Sequence, residues 1–181
     1  MSVPSPIHSS KSDEWCTPPE IFDPLNVEFR FDIDLAAKDP SMSRCQNWLS
    51  EAEILDWKDL LADGYRTGWC NPPYSDDEAF IREGAEAARH GFASAHLVFA
   101  KTDVAWWHEV VMKEADEVRL IKGRVRFIAG EDMWLTKKGQ PFLLKKGERG
   151  DPAPKGSCVV VFRPTHERLY PSVRFSSMVV G

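Results

Sequence analysis

A short apolar run, Gly68-Trp69-Cys70, ends abruptly in Asn71-Pro72-Pro73-Tyr74. Two successive prolines offer no N–H and hold φ fixed, so a central sheet ladder cannot continue through them. A strand carrying Trp69 and Cys70 must stop at Asn71. The stretch that follows, residues 76–89 (DDEAFIREGAEAAR), starts acidic and ends basic before Gly91. That charge order complements a helix macrodipole, and the glycine is a stop signal. The chain thus sets a stiff polar loop between a buried strand and a helix.

The rest of the sequence alternates in the same way. Residues 29–37 (FRFDIDLAA) place Phe29, Phe31, Ile33 and Leu35 at every second position, as in a strand. Residues 18–25 before them suit a short helix, with Thr17 as N-cap and prolines in the first turn. Residues 95–100 and Ser157–Phe162 read as buried strands, residues 118–122 and 125–129 as further strands, and residues 104–115 as a second long helix. The expected class is α/β, a mostly parallel sheet flanked by helices, with ligands bound at the carboxyl ends of the strands. Three polar clusters fall at those ends: Asp34-Leu35-Ala36-Ala37, Asn71-Pro72-Pro73-Tyr74 and Lys101-Thr102-Asp103. Their convergence is the main structural expectation.

With 181 residues the chain has room for one sizeable core. The division expected is a polar, Ser- and Pro-rich flexible arm at 1–13, one domain at 14–163, and a tail at 164–181 that suggests no function. The first residues show no apolar signal region, and no run is long enough to span a bilayer, so a cytoplasmic protein is expected. Four cysteines lie far apart with no CxxC pair, which suggests reduced thiols and no metal site. No GxGxxG occurs, leaving nicotinamide or flavin binding unsupported. His108 stands alone and reads as structural.

The formal net charge is −5, yet residues 119–155 hold ten basic against four acidic side chains. A basic stretch on an acidic body suits a polyanion. If that polyanion is DNA, the basic insert at 131–155 is the candidate contacting hairpin or loop. Its Lys137, Lys138, Lys145 and Lys146 would meet phosphates, and its Gln140 and Arg149 could read adenine and guanine edges. Lys101, Thr102, Trp107, Arg124 and Arg126 complete the expected DNA surface. Trp106 and Trp107 are adjacent on a helix, so one is expected in the core and the other against a partner or the base.

Asn-Pro-Pro-Tyr suits the methylation of an exocyclic amino group. The nitrogen of such a group shares its lone pair with the ring and must be rehybridised before it attacks. The Asn71 side-chain oxygen and the Pro72 carbonyl can both accept from an NH2, Pro73 stiffens the loop, and Tyr74 offers a ring for a planar base to stack on. A base inside a duplex would have to be flipped out to arrive there. Asp34 would hold part of a cofactor, with small Ala36 and Ala37 allowing close approach. Asp56 could contact the cofactor's adenine. Trp15, in Trp15-Cys16-Thr17-Pro18-Pro19, serves equally as a core anchor or a cofactor contact.

These elements, together with Phe31-Asp32-Ile33-Asp34-Leu35-Ala36-Ala37, Trp106-Trp107-His108 and Gly123-Arg124-Val125-Arg126-Phe127, resemble in sequence and in order the phage-type DNA N-6-adenine methyltransferases. The resemblance spans residues 14–162. It implies a Rossmann-like methyltransferase fold, S-adenosylmethionine as donor, and adenine in double-stranded DNA as target, in a phage- or prophage-encoded protein acting as monomer or homodimer on a short site. It places Asn71 to Tyr74 in catalysis and Trp15, Thr17, Pro18, Asp34 and Ala36 near the cofactor, to which the reading of the residues themselves adds Ala37, Asp56 and Asn71. Cytosine, RNA adenine or a protein glutamine presents a similar planar amino group, and a silent DNA-binding relative would share the fold.

Overall fold

The computed structural model describes residues 15–50, 56–164 and 172–179; the arm expected at 1–13 lies outside them. In chain order the elements are β1 (Trp15–Cys16), α1 (Pro19–Phe29), β2 (Ile33–Asp34), β3 (Asn47–Trp48), a 3-10 turn (Trp57–Leu61), β4 (Thr67–Cys70), α2 (Asp77–His90) and β5 (Ala93–Phe99). A helical segment wound in π form over Trp107–Val111 and in α form over Met112–Glu114 comes next. Then follow β6 (Glu117–Ile121), β7 (Ile128–Ala129), β8 (Met133–Lys137), β9 (Gln140–Leu144), β10 (Ser157–Phe162) and β11 (Arg174–Met178).

Seven strands form one sheet in the order β11-β6-β10-β5-β4-β2-β3. The run β3-β2-β4-β5 is parallel throughout, as is the β11-β6 pair. Only β10 runs against its neighbours. The fold is therefore mixed α/β with a large, mostly parallel sheet. Residues 174–178, placed in the tail by sequence, form its edge strand, so the sheet reaches beyond position 163.

Side chains alternate across the strands, and both faces are covered. Trp69, Leu97, Val159 and Val161 pack against Ile21, Phe22 and Leu25 of α1 on one face. Val98, Cys158, Val160 and Phe162 meet Ile81 and Ala85 of α2 and Val111 of the π segment on the other. Covering on both sides explains why all six residues of β10 are buried.

Four sequence expectations change. The helix starts at Pro19 with Pro18 as its cap, whose carbonyl accepts from Ile21 and Phe22 N–H; Thr17 caps nothing. That helix runs on to Phe29, so the strand expected at 29–37 shrinks to Ile33–Asp34. The Phe29 and Phe31 rings stack with centroids 5.5 Å apart, while side chains of Asn26 and Asp32 take the local backbone N–H groups that a ladder would have used. Trp106 and Trp107 are both buried, because the wider π turn rotates less per residue and brings successive indoles to the same side. Of residues 125–129 only the last two join a strand; Val125 and Phe127 carbonyls accept instead from Ala153 and Gly150.

Within the second face, His96 is fully buried, with Nε2 2.9 Å from Ser94 Oγ and its ring 5.7 Å from that of Trp57. Burial pushes its pKa down to about 3. Gly84 of α2 lies directly on this imidazole, and a Cβ there would fall 2.7 Å from Cε1.

Two measurements follow. Alanine for glycine inside a helix ordinarily gains about 1 kcal/mol. At Gly84 overpacking should cost about 1–3 kcal/mol, so Gly84→Ala is expected to lower Tm; a rise would refute the packing. His96 is neutral when folded but protonates when unfolded below pH 6.5, so stability should be complete above pH 6.5 and fall as the pH drops toward about 3. Replacing it in His96→Gln should flatten the dependence of Tm on pH over that window.

Candidate active site

The carboxyl ends of β2, β4 and β5 lie side by side, and the three polar clusters meet there as expected. Asn71 follows the last residue of β4. Its Nδ2 donates to the Trp15 carbonyl at 2.9 Å, which turns the amide so that Oδ1 points away. Oδ1 is buried and has no partner. A buried acceptor left unpaired costs free energy of about 1–3 kcal/mol, so this atom is held ready for a donor that arrives from outside.

The next residues are fixed in turn. The Pro73 carbonyl accepts from Asp76 N–H at 3.0 Å, and the Tyr74 carbonyl from Lys101 Nζ at 3.3 Å. Neither bond uses the Pro72 carbonyl. The Tyr74 ring stacks on Phe99, centroids 4.1 Å apart, and meets the edge of Phe127. Its hydroxyl is buried without a partner, and burial raises its pKa well above the phenol value.

Beside Asn71 opens a small, partly solvent-open cleft. Trp15, Thr17, Asp34, Ala36 and Ala37 line it, as the sequence suggested. Trp15 is seated there by the β1-β7 pair and by Gly150, where a Cβ would stand 2.6 Å from the indole. Asp34 is buried and does two jobs. Its Oδ1 accepts from Ala36 N–H at 3.2 Å, shaping the turn, and its Oδ2 accepts from Arg44 N–H at 3.0 Å and Ser43 Oγ at 3.3 Å. Burial raises its pKa, against the pull of these bonds.

Two expected cofactor residues do not line the cleft. Pro18 is buried as the cap of α1, and Asp56 is exposed and paired with Lys58 at 3.1 Å. Five lining residues were missed: Cys16, Lys38, Met42, Arg44 and Trp69. Arg44 donates through Nε, at 2.8 Å, and Nη2 to the Thr17 carbonyl, so its guanidinium sits at the cleft wall. The loop at 38–44 has no periodicity, and only its richness in polar and basic residues hinted at a site.

The expected DNA surface is thinned by pairing. Trp107 is 2% exposed and packs in the core, so it cannot reach a partner. Lys101 forms an ion pair with buried Asp77, 2.7 Å from Oδ2, close as charges though poorly angled as a hydrogen bond. Thr102 gives its carbonyl to His108 Nε2. Arg149 grips the Glu20 carboxylate with both Nη atoms, Lys137 pairs with Asp151 at 2.7 Å, and Lys146 Nζ reaches Ser41 Oγ at 2.7 Å. Arg124, Arg126, Lys138, Gln140 and Lys145 are exposed, with Arg126 Nε bonded to the Gly150 carbonyl. Among the described residues no group of His, Cys, Asp and Glu could hold a metal ion, and no helix is long and apolar enough to cross a membrane.

The Lys101–Asp77 pair gives a stability test. Burial already raises the Asp77 pKa, and Lys101 opposes that rise. Lys101→Met should cost about 2–3 kcal/mol, somewhat less than a fully buried pair, because Lys101 is partly exposed. Thermal unfolding of Lys101→Met with Asp77→Asn should recover most of the loss; an equal or larger loss in the double variant would refute the pairing.

Comparison with known proteins bears on the family. The family model described as DNA N-6-adenine-methyltransferase (Dam) matches residues 4–179. A DNA N-6-adenine-methyltransferase of Escherichia phage T1 is 26% identical over 170 residues, which cover 86% of this chain and 64% of that protein. The chain thus spans a little under two thirds of the length of this relative. No solved structure matches. By the extent of the family match, the chain belongs to the DNA N-6-adenine-methyltransferase (Dam) family.

Proposed function

We propose that this chain transfers a methyl group from S-adenosylmethionine to the exocyclic amino group of adenine in double-stranded DNA, on a Rossmann-like methyltransferase fold. The observation that carries the reading is the orphaned, buried Oδ1 of Asn71 at the end of β4, beside the cleft. An amino group presented there gives that atom its missing donor. Withdrawal of one N–H toward Oδ1, and of the other toward the Pro72 carbonyl, localises the nitrogen lone pair and stabilises the positive charge that grows on it during attack. Tyr74, braced by Phe99 on one face, offers the other to the base. No general base is needed before transfer, since the nitrogen sheds its proton once alkylated.

The cleft residues fit the donor. S-adenosylmethionine, when bound, supplies an electrophilic methyl group. The Arg44 guanidinium and the Asp34 carboxylate lie together in the cleft, the charge pair that a zwitterionic amino-acid end requires. Ala36 and Ala37 leave room for close approach, and Met42 and Trp69 provide apolar wall. Binding here would place the donor next to Asn71, whose Nδ2–Trp15 bond ties the catalytic loop to the cleft wall. A flipped adenine would reach the loop from the open side, at a cost of a few kcal/mol for leaving the duplex. The exposed Arg124, Arg126, Lys138 and Lys145 would meet phosphates, with Gln140 at a base edge. The phage origin of the relative supports a protein that works in the host cytoplasm, and the proposal includes action as a monomer or homodimer.

The test is incubation with labelled S-adenosylmethionine and unmethylated duplex DNA, followed by digestion to nucleosides. Label is expected in N6-methyldeoxyadenosine. Label in methylated cytosine, or transfer to RNA or protein only, would overturn the substrate; donor binding by calorimetry without any transfer would indicate a silent relative. Asn71→Ala should lower kcat by about 10²–10³, the scale of losing one preorganised hydrogen-bonding group. Its calorimetric affinity for the donor should change much less. Wild-type turnover in that variant would refute the assignment of Oδ1.

A further inference from the structure

The hairpin of β8 and β9 carries an aromatic side chain that none of the contacts above employs. Its register pairs Met133 with Leu144, Trp134 with Leu143, Leu135 with Phe142 and Thr136 with Pro141. Because side chains alternate across a two-stranded ribbon, these pairs divide between two faces. Met133, Leu135, Phe142 and Leu144 turn inward and pack with Ala129 and Trp15. The outward face bears Trp134, which is 73% exposed, beside Leu143 at 37%. Tryptophan is among the more buried residues on average, and an exposed indole backed by a cross-strand leucine marks a contact surface.

Three contacts hold this ribbon at the rim of the cleft. The strand before it, β7, pairs with β1 and so with Trp15. Glu131 forms an ion pair with Lys38 of the cleft wall at 3.5 Å, and Lys146 reaches Ser41 in the same loop as Arg44. The outward face is flanked by exposed cations, Lys138 at the turn and Lys145 at the far end. An apolar wedge between positive charges, set beside an amino-group site, is complementary to a nucleic-acid duplex: the cations meet phosphates and the ring meets base faces.

We infer that Trp134, backed by Leu143, enters the duplex next to the target base pair and fills the space that adenine leaves when it swings toward Asn71. This rests on the proposed adenine methylation. The wedge offsets lost stacking only where a paired base has to leave the helix. A target that is already unpaired needs it less.

The experiment uses the full chain, Trp134→Ala and Trp134→Phe, with the site mapped by the labelling assay placed in two duplexes. One is fully matched, and the other carries a mismatch opposite the target adenine. Single-turnover methylation of the matched duplex by Trp134→Ala should fall about tenfold or more, with Trp134→Phe between it and wild type. On the mismatched duplex Trp134→Ala should return to within about threefold of wild type, while its affinity for S-adenosylmethionine and its Tm stay unchanged. Equal losses on both duplexes, or no loss on either, overturn the wedge. A variant that matches wild type on DNA but alters self-association assigns the face to a second protein copy instead. Absence of transfer by the wild-type chain to either duplex fells the adenine reading, and the wedge with it.

Discussion

The end of β4 at two prolines is the constraint on which the rest of this molecule depends. Because Pro72 and Pro73 cannot donate to a ladder, the chain must leave the sheet between β2 and β5 at the edge where those parallel strands also end. Three groups of the candidate site come from that edge, Asp34 and its turn after β2, Asn71 after β4 and Lys101 after β5, and Trp15, Thr17 and Arg44 are brought to it from outside. Parallel pairing is what makes the three ends coincide. Had β4 run antiparallel to β2, Asn71 and Asp34 would stand a strand length apart.

Burial then decides what each polar group can do. Asp34, Asn71 and Asp77 are all removed from water to a large degree, but they are satisfied to different extents. Both Asp34 oxygens accept hydrogen bonds from the chain, so its carboxylate builds the cleft wall first and meets a ligand second. Asp77 is answered by Lys101, which also holds the Tyr74 carbonyl and so steadies the catalytic loop from behind. Asn71 alone of the three has its donor side fixed and its acceptor unpaired. The loop is held by these bonds, while Asn71 Oδ1 is the buried acceptor they leave unsatisfied.

Much of this was legible in the sequence. The strand boundary at Asn71, the helix that Gly91 stops and Ser157–Phe162 as a buried strand follow from proline chemistry, charge order and apolar runs; Asp34, Ala36 and Ala37 follow from the end of a strand, whereas Trp15 and Thr17 came from the family resemblance. The failures share a physical cause. Phe29, Phe31, Ile33 and Leu35 alternate as in a strand, yet Phe29 closes a helix, since tertiary stacking of aromatic rings rewards the same spacing by another route. Trp106 and Trp107 violate the ordinary helical rule because a π turn changes the angle between neighbours, which no single-residue propensity records. Arg44 was missed because its role arises from a contact with Thr17, 27 positions away.

The basic stretch shows how far composition can mislead about a surface. Ten cations in residues 119–155 suggest a continuous positive face. The fold commits Arg119 to distant Glu28 and neighbouring Glu117, Arg149 to distant Glu20 and Lys137 to Asp151. The Arg119 and Arg163 guanidiniums both lie over the Phe29 ring, as part of the packing at the end of α1. A cation already paired releases fewer counterions from a polyanion, so the field offered to DNA is weaker and more local than the count implies. Lys122, Arg124, Arg126 and Lys155 remain exposed, as do Lys138 and Lys145 on the hairpin that carries Trp134. A chain of net negative charge with so small a positive patch would gain little by coating DNA. It is better suited to gripping one short stretch, where an aromatic side chain can add contact that charge does not supply.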